Sequence, residues 1–132
     1  MSPIQILIVH ETELVLNMLT SILEDEQDLE IAGQFQDLKE ALDYAGEYQV
    51  ALISVSLPDD GARTFLDHIH SRDQDVHVIM IGMTESKAQI LEYIEGGADG
   101  YVLQEHDVDD LINRIRITME GKGVVSRKIA RA

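Results

Sequence analysis

Short apolar runs alternate with amphipathic segments along this chain, and the alternation limits the fold more than any other feature of the sequence. Continuous apolar runs occupy residues 6–9 and 50–53, and residues 76–81 are apolar except for His77, which is typical of strands buried on both faces. Residues 29–35 alternate between apolar and polar positions, and residues 100–103 form a short fifth run. Because a helical pattern follows each run, the sequence predicts an α/β fold with a five-stranded, doubly wound parallel sheet and five helices.

Several of the helical segments carry their own start and stop signals. Thr12 can cap the first helix, and Asp37 with Glu40 resembles a capping box for a second helix that runs through Ala45. The last two helices are predicted to end at Gly96-Gly97 and at Gly121. The apolar positions predicted for the core face of the first helix are Leu14, Val15, Met18, Leu19, Ile22 and Leu23.

Charge divides the chain into two unequal parts. Residues 1–113 contain 24 acidic and 4 basic residues, a net charge of −20, whereas residues 114–132 contain six basic residues and one acidic residue, a net charge of +5. A body of such negative charge repels the nucleic-acid backbone. We expect the acidic run 24–28 to be solvated, and the basic carboxyl-terminal stretch to be a solvated helix end.

The 132 residues suffice for one domain with a substantial core. The chain has no cysteine, which excludes disulfide frameworks, cysteine-ligated metal centres and thiol catalysis. No apolar run approaches the ~18 residues of a membrane span, and charge appears too early for a signal peptide. We expect a soluble, cytoplasmic domain with no membrane partner.

In a doubly wound sheet, ligands bind beyond the carboxyl ends of the strands. The residues at those ends are His10 and Glu11 after the first run, Ser54 after the third, Gly82 after the fourth and Gln104 after the fifth. No glycine-rich loop follows the first run, so dinucleotide-binding and P-loop functions are not predicted.

Four segments together resemble the receiver domain of bacterial response regulators, in the subtype joined to LuxR/NarL-type DNA-binding domains. They are ILIVHE at 6–11, VALISVSLPDDG at 50–61, VHVIMIGM at 76–83 and GGADGYVLQEHDVDDLINRI at 96–115. The resemblance covers residues 4–132 and implies a flavodoxin-like sheet of order 2-1-3-4-5. It also implies a receiver-like domain over residues 1–121, with residues 122–132 starting a linker or helix towards an output domain that this chain lacks.

The resemblance also implies where phosphoryl-transfer residues would stand. Such receivers hold Mg²⁺ with two acids after the first strand, and use an aspartate, a hydroxyl and a lysine after the third, fourth and fifth strands. Here these positions are occupied by His10-Glu11, Ser54, Gly82 and Gln104, and only Glu11 keeps a suitable charge. Tyr101 stands at the position of the family's switch aromatic. The sequence thus predicts a degenerate pseudo-receiver that does not form an acyl phosphate.

Other uses of the same residues remain open at this point. Ser54, His10 and Glu11 could form a hydrolase triad, although no G-x-S-x-G elbow is present. The simpler expectation is that Ser54 and His10 hydrogen-bond each other. A metal site on His10, Glu11 and Asp59 is a weak candidate, and a serine kinase could modify Ser54. Among the other histidines, His68 and His70 are expected at the surface, and His106 could face the crevice.

The leading prediction is a phosphorylation-independent receiver that is not an enzyme and has no cofactor. It would act as a dimerisation and protein-interaction module, with another protein or itself as partner, and would contact DNA only through an output domain in transcription regulation. The alternative is a small-ligand sensor in which His10, Glu11, Ser54 and Gln104 line a vacant pocket. An enzyme built on these residues ranks third.

Overall fold

The computed structural model describes residues 2–72 and 75–120, and within them five strands alternate with five helices. The sheet is parallel, and its strand order is β2-β1-β3-β4-β5. The predicted fold class and strand order are therefore confirmed. In chain order the elements are β1 (Ile4–Val9), α1 (Glu13–Glu24), β2 (Leu29–Phe35), α2 (Leu38–Asp43), β3 (Val50–Ser54), α3 (Gly61–Ser71), β4 (His77–Met83), α4 (Lys87–Glu95), β5 (Gly100–Leu103) and α5 (Val108–Glu120).

Two apolar layers cover the two faces of the sheet. One layer packs α2, α3 and α4 against it, and the other packs α1 and α5. The central strand β3 is buried along its whole length, because both of its faces are covered and it has a neighbour on each side. The predicted linker over residues 122–132, and the predicted helix end at Gly121, lie outside the described residues.

Helix α1 buries only part of the face that the sequence predicts: Leu19 and Leu23 belong to that face, but Leu16, which is also buried, does not. Leu16, Leu19 and Leu23 are buried, whereas Leu14 is 75% exposed and Met18 is 48% exposed. The helix is apolar on more than one side, so its periodicity alone cannot choose the buried face. Packing against the sheet and α5 makes that choice.

Helix α2 begins as predicted but ends early. The Asp37 carboxylate accepts a hydrogen bond from the Lys39 backbone N–H at 3.2 Å, as an N-cap does. The helix ends at Asp43, before the predicted Ala45, because Tyr44 has an extended backbone. The ring centroid of Tyr44 lies 5.6 Å from that of Phe35, so the two rings pack together.

Helix α5 is joined to the α1–β2 loop by Arg116. Its Nε donates to Asp28 Oδ2 at 2.9 Å, and its Nη2 donates to Asp28 Oδ1 at 2.8 Å and to Glu26 Oε1 at 2.7 Å. The hydrogen bond from Arg116 lowers the pKa of Asp28. The acidic run is solvated as expected at its exposed positions, but Glu26 and Asp28 also bind Arg116, which the sequence did not predict.

None of the helices within residues 2–72 and 75–120 combines the length and the apolar character that crossing a membrane requires.

Candidate functional site

Strand register brings the predicted site positions to one edge of the sheet. Val9 pairs with Ile53 in β1 and β3, so His10 and Ser54 stand side by side at the ends of adjacent strands. Ser54 pairs with Ile81, which directly precedes Gly82. Leu103 pairs with Met83, and Gln104 follows it. The five positions thus lie together along the carboxyl edge, in the order β1, β3, β4, β5.

Ser54 is the last residue of β3 and is only 2% exposed. Its Oγ accepts a hydrogen bond from the Ser56 backbone N–H at 3.1 Å. The chain then enters a 3-10 turn at Pro58–Asp60, in which Asp59 and Asp60 both have φ of 57°. This hydroxyl is therefore buried and engaged in a turn, rather than raised on a strained elbow between a strand and a helix.

His10 and Glu11 begin the loop after β1. The Nδ1 atom of His10 accepts a hydrogen bond from the Thr12 backbone N–H at 3.0 Å, which requires that Nδ1 carry no proton and places the ring proton on Nε2. Ser54 and His10 thus each bind a backbone N–H instead of each other, and the expected bond between them is wrong. The hydrolase arrangement of base and nucleophile is not assembled.

The Glu11 carboxylate has one oxygen without a donor. Its Oε1 is buried and has no hydrogen-bond partner, and it lies 3.6 Å from His10 Nδ1. His10 Nδ1 already accepts a hydrogen bond from the Thr12 backbone N–H and carries no proton. It therefore cannot donate a hydrogen bond to this Glu11 oxygen. Glu11 is consequently the least satisfied acidic group at this edge.

The residue type at position 82 is constrained by its backbone conformation rather than by a lack of space. Its φ is +81°, and it lies where the register between β4 and β5 shifts by one residue, between Ile81 and Met83. A Cβ atom placed there would meet only Val55 Cγ2, at 3.9 Å. There is space for a side chain, but the left-handed backbone disfavours one. The sequence alone indicated a missing hydroxyl and gave no sign of this backbone constraint.

Two glutamates that the sequence analysis missed flank the Gly82 and Gln104 positions. Gln104 is exposed, and its backbone N–H donates to the Met83 carbonyl at 2.9 Å. The Glu85 and Glu105 carboxyls hydrogen-bond each other in the two loops beside it, which raises the pKa of Glu85 and lowers that of Glu105. The available signal was their spacing, since each lies within three residues of one of the predicted site positions, Gly82 and Gln104.

The residues at this edge do not fit Mg²⁺, the ion that the resemblance to receiver domains implies. Mg²⁺ prefers several oxygen ligands in octahedral geometry. Here Glu11 supplies the one carboxylate of the His10-Glu11 pair, while the Ser54 hydroxyl and the His10 Nδ1 are occupied by backbone donors. Across the part of the chain that the structure describes, no three His, Asp or Glu side chains converge on a common metal position. The candidate site on His10, Glu11 and Asp59 does not form such a group.

The remaining candidate residues have local structural roles. Tyr101 is partly buried and packs against the layer that contains α4, as expected of an aromatic at the sheet edge. His106 Nδ1 accepts from the Leu103 backbone N–H at 3.0 Å, which holds the turn after β5. His70 is exposed, and the partly buried His68 lies 3.5 Å from the Arg72 guanidinium.

Two cavities of the described residues lie away from Ser54. One, of about 340 Å³, opens at the opposite edge of the sheet near Tyr48, Gln49 and Arg72. The other, of about 500 Å³, is a groove between α3 and α4.

Comparison with known proteins gives consistent matches to one family. A family model described as the response regulator receiver domain matches residues 6–116. The chain is 26% identical over 129 residues to the transcriptional regulatory protein DegU of Brevibacillus brevis, covering 96% of this chain and 54% of DegU. It is 25% identical over 131 residues to the nitrate/nitrite response regulator NarP of Escherichia coli, covering 97% of this chain and 60% of NarP. The chain thus spans less than two thirds of these curated relatives.

Solved structures show the same fold. The RcsB response regulator of Salmonella typhimurium superposes with a TM-score of 0.81 at 19% identity, covering 96% of this chain and 65% of that one. A DNA-binding response regulator of the LuxR family from Staphylococcus aureus gives a TM-score of 0.76 at 16% identity, covering 86% of this chain and 96% of that one.

Proposed function

The chain belongs to the response regulator receiver domain family, and from this premise we propose that it is a pseudo-receiver, which signals through protein contacts without being phosphorylated. Its role is to dimerise or to bind a partner protein, and so to control a LuxR-type DNA-binding output in transcription. Its conformation is then fixed, or is set by a partner that binds one of two states more tightly.

The observation that carries this proposal is the state of Ser54 at the phosphoacceptor position. A serine forms a phosphate ester rather than an acyl phosphate, and its hydroxyl is a weak nucleophile unless a base activates it. The Oγ of Ser54 is buried and accepts from the Ser56 N–H, and His10 directs its Nδ1 to Thr12. Neither group is arranged to begin phosphoryl transfer.

The electrostatics of the edge support the same conclusion. A transferred phosphoryl group needs positive charge from a metal ion and a lysine. Gln104 stands at the lysine position, and Glu11, Glu85 and Glu105 contribute carboxyl groups in the adjoining loops. A phosphoryl group here would meet carboxylates in place of the cations that it requires.

The transcriptional part of the proposal rests on the relatives. DegU is named a transcriptional regulatory protein and NarP a response regulator, and this chain matches only 54% and 60% of their lengths. RcsB has been solved as two dimers bound to two parallel DNAs. We infer that residues 122–132 begin the connection to an output domain of that kind, which contacts DNA while the acidic receiver does not.

One observation favours a second candidate function, the binding of a small ligand at the vacated edge. The buried Glu11 Oε1 lacks a donor, and a ligand with an ammonium or amide N–H would supply one. For a ligand bound in this way, Glu11→Gln should weaken binding at least about tenfold, because a charge-assisted hydrogen bond becomes a neutral one.

Acetyl phosphate with Mg²⁺ tests the leading proposal. The purified chain is incubated with both, and intact mass and light-scattering molar mass are measured before and after. The proposal predicts no added phosphoryl group and an unchanged oligomeric state. A mass increase of one phosphoryl group that hydroxylamine removes would indicate an acyl phosphate on a carboxylate, and would refute the proposal. Ser54→Ala is the matched control, because it removes the hydroxyl and leaves every carboxylate in place.

A further inference from the structure

The groove between α3 and α4 has an apolar centre and an acidic border. Leu91 is 56% exposed in it and is one of three large apolar side chains exposed in the described part of the chain. Ala88, Leu91 and Glu95 follow one face of α4 at helical spacing, and Asp67 lies across the groove on α3. An apolar anchor with acidic neighbours suits a segment that carries both apolar and basic side chains.

The single arginine of the groove is already neutralised. Arg63 Nη2 lies 2.5 Å from Glu92 Oε2, which joins α3 to α4. Neither Asp67 nor Glu95 has an ion pair among the described residues, so the groove keeps two uncompensated carboxylates. Its charge is therefore complementary to a basic partner.

We propose that this groove binds residues 121–132 of the same chain. The segment contains four basic residues and no acidic residue, and apolar residues lie between its charges. The basic residues are Lys122, Arg127, Lys128 and Arg131, and the larger apolar ones are Val124, Val125 and Ile129. In this arrangement the apolar residues of the segment would cover Leu91, and its basic residues would pair with Asp67 and Glu95.

The topology brings the segment within reach of the groove. In a sheet of parallel strands, the crossover helices run opposite to the strands, so α4 and α5 both end at the edge where strands begin. They lie on opposite faces of the sheet next to the edge strand β5. The twelve residues after Glu120 span up to ~40 Å when extended, which is enough to pass around β5 to the Glu95 end of the groove.

The contact would make the groove a regulatory surface. A partner with a basic, apolar segment would compete for it and release residues 121–132. The inference does not depend on whether Ser54 can be phosphorylated, so it stands or fails separately from the proposed function.

A nitroxide label on the segment tests the contact in the full chain. Because the chain has no cysteine, Ala130→Cys gives a single attachment site. Paramagnetic broadening of the backbone amides is then compared between α4, at Leu91 and Glu95, and the exposed residues Leu14 and Met18 of α1. The inference predicts much stronger broadening on α4.

Charge-swap variants make the test specific. Asp67→Lys with Glu95→Lys should reduce the α4 broadening at least about threefold, as should ~1 M salt, at which charges are screened within ~3 Å. Adding Arg127→Glu with Lys128→Glu to the Asp67→Lys and Glu95→Lys variant should restore the broadening on α4. Glu40→Lys with Asp43→Lys on α2 changes the net charge equally and should leave the broadening in place.

Three results would overturn the inference. One is equal broadening on α1 and α4. A second is broadening on α4 that the Asp67→Lys and Glu95→Lys variant does not reduce. The third is broadening that appears when labelled chain is mixed with unlabelled, isotope-enriched chain, because the groove would then hold the segment of a second copy.

Discussion

At the scale of single residues, Gly82 shows how one backbone angle restricts what the carboxyl edge can become. The resemblance to receivers implies a hydroxyl at its position, and the space above Gly82 would admit one. Its φ of +81° is what opposes the change, since a side chain in the left-handed region costs roughly 1–2 kcal/mol. Restoring the family residue therefore requires the bulge between Ile81 and Met83 to rearrange as well.

This constraint predicts the stability of two variants. Gly82→Ser should lower the free energy of unfolding by about 1–2 kcal/mol. Gly82→Asn should lose clearly less, because asparagine tolerates positive φ better than serine. Urea unfolding followed by circular dichroism measures both. Equal losses for the two variants would mean that something other than φ is responsible.

Helix α1 provides a test at the scale of elements, because three of its leucines are buried and another is not. Leu16→Ala should cost about 2–4 kcal/mol, since it leaves a cavity under the helix. Leu14→Ala should stay within ~0.5 kcal/mol, since Leu14 is 75% exposed. Thermal or urea unfolding of the pair compares them directly. A large loss for Leu14→Ala would show that its side chain is covered in solution, for example by a second copy.

The contact between α5 and the α1–β2 loop predicts that the stability of the fold depends on pH. The hydrogen bond from Arg116 holds the pKa of Asp28 below its usual value of 3.8, so the folded state gives up this proton more readily than the unfolded one. The resulting stabilisation is present at neutral pH and is lost as the pH falls below about 4.

Arg116→Met isolates that contribution while keeping an apolar stem. Arg116 and Asp28 are both partly exposed to solvent, so the free energy of unfolding of the variant should fall by only about 1 kcal/mol at pH 7. It should fall by less at pH 2–3. Lys39→Met is the matched control, since it removes the same charge from an exposed position on α2 that has no ion pair within residues 2–72 and 75–120. A loss of equal size at both pH values would contradict the assigned role of Asp28.

These elements also show what the sequence can and cannot determine. Burial on both faces makes β3 a continuous apolar run, so strand positions and sheet order were predictable from pattern and resemblance. The buried face of α1, the Arg116 contacts across 88 and 90 residues of chain, and the Glu85–Glu105 pair all depend on how elements pack. The partners of Ser54 and His10 were equally out of reach, because each depends on the local path of its loop.

At the scale of the whole molecule, the net charge of −15 governs the response to salt. Repulsion among so many carboxylates destabilises the compact state. Raising the ionic strength from ~10 mM to ~150 mM shortens the screening length from ~30 Å to ~8 Å, and should raise the Tm by several degrees. Calorimetry at constant pH measures this, and sucrose at matched osmolality controls for solute effects. A lower Tm in salt would mean that attractive ion pairs outweigh the repulsion.

The central claim about the whole molecule is that this receiver fold signals without a phosphorylated state. An amide spectrum of the full chain, recorded with and without Mg²⁺ and beryllofluoride, tests it most directly, because beryllofluoride reproduces a bound phosphoryl group. The account predicts unchanged resonances for Ser54, Gly82, Gln104 and Tyr101. Shifts at these residues that require both Mg²⁺ and beryllofluoride would show that the edge still accepts a phosphoryl group, and would contradict it.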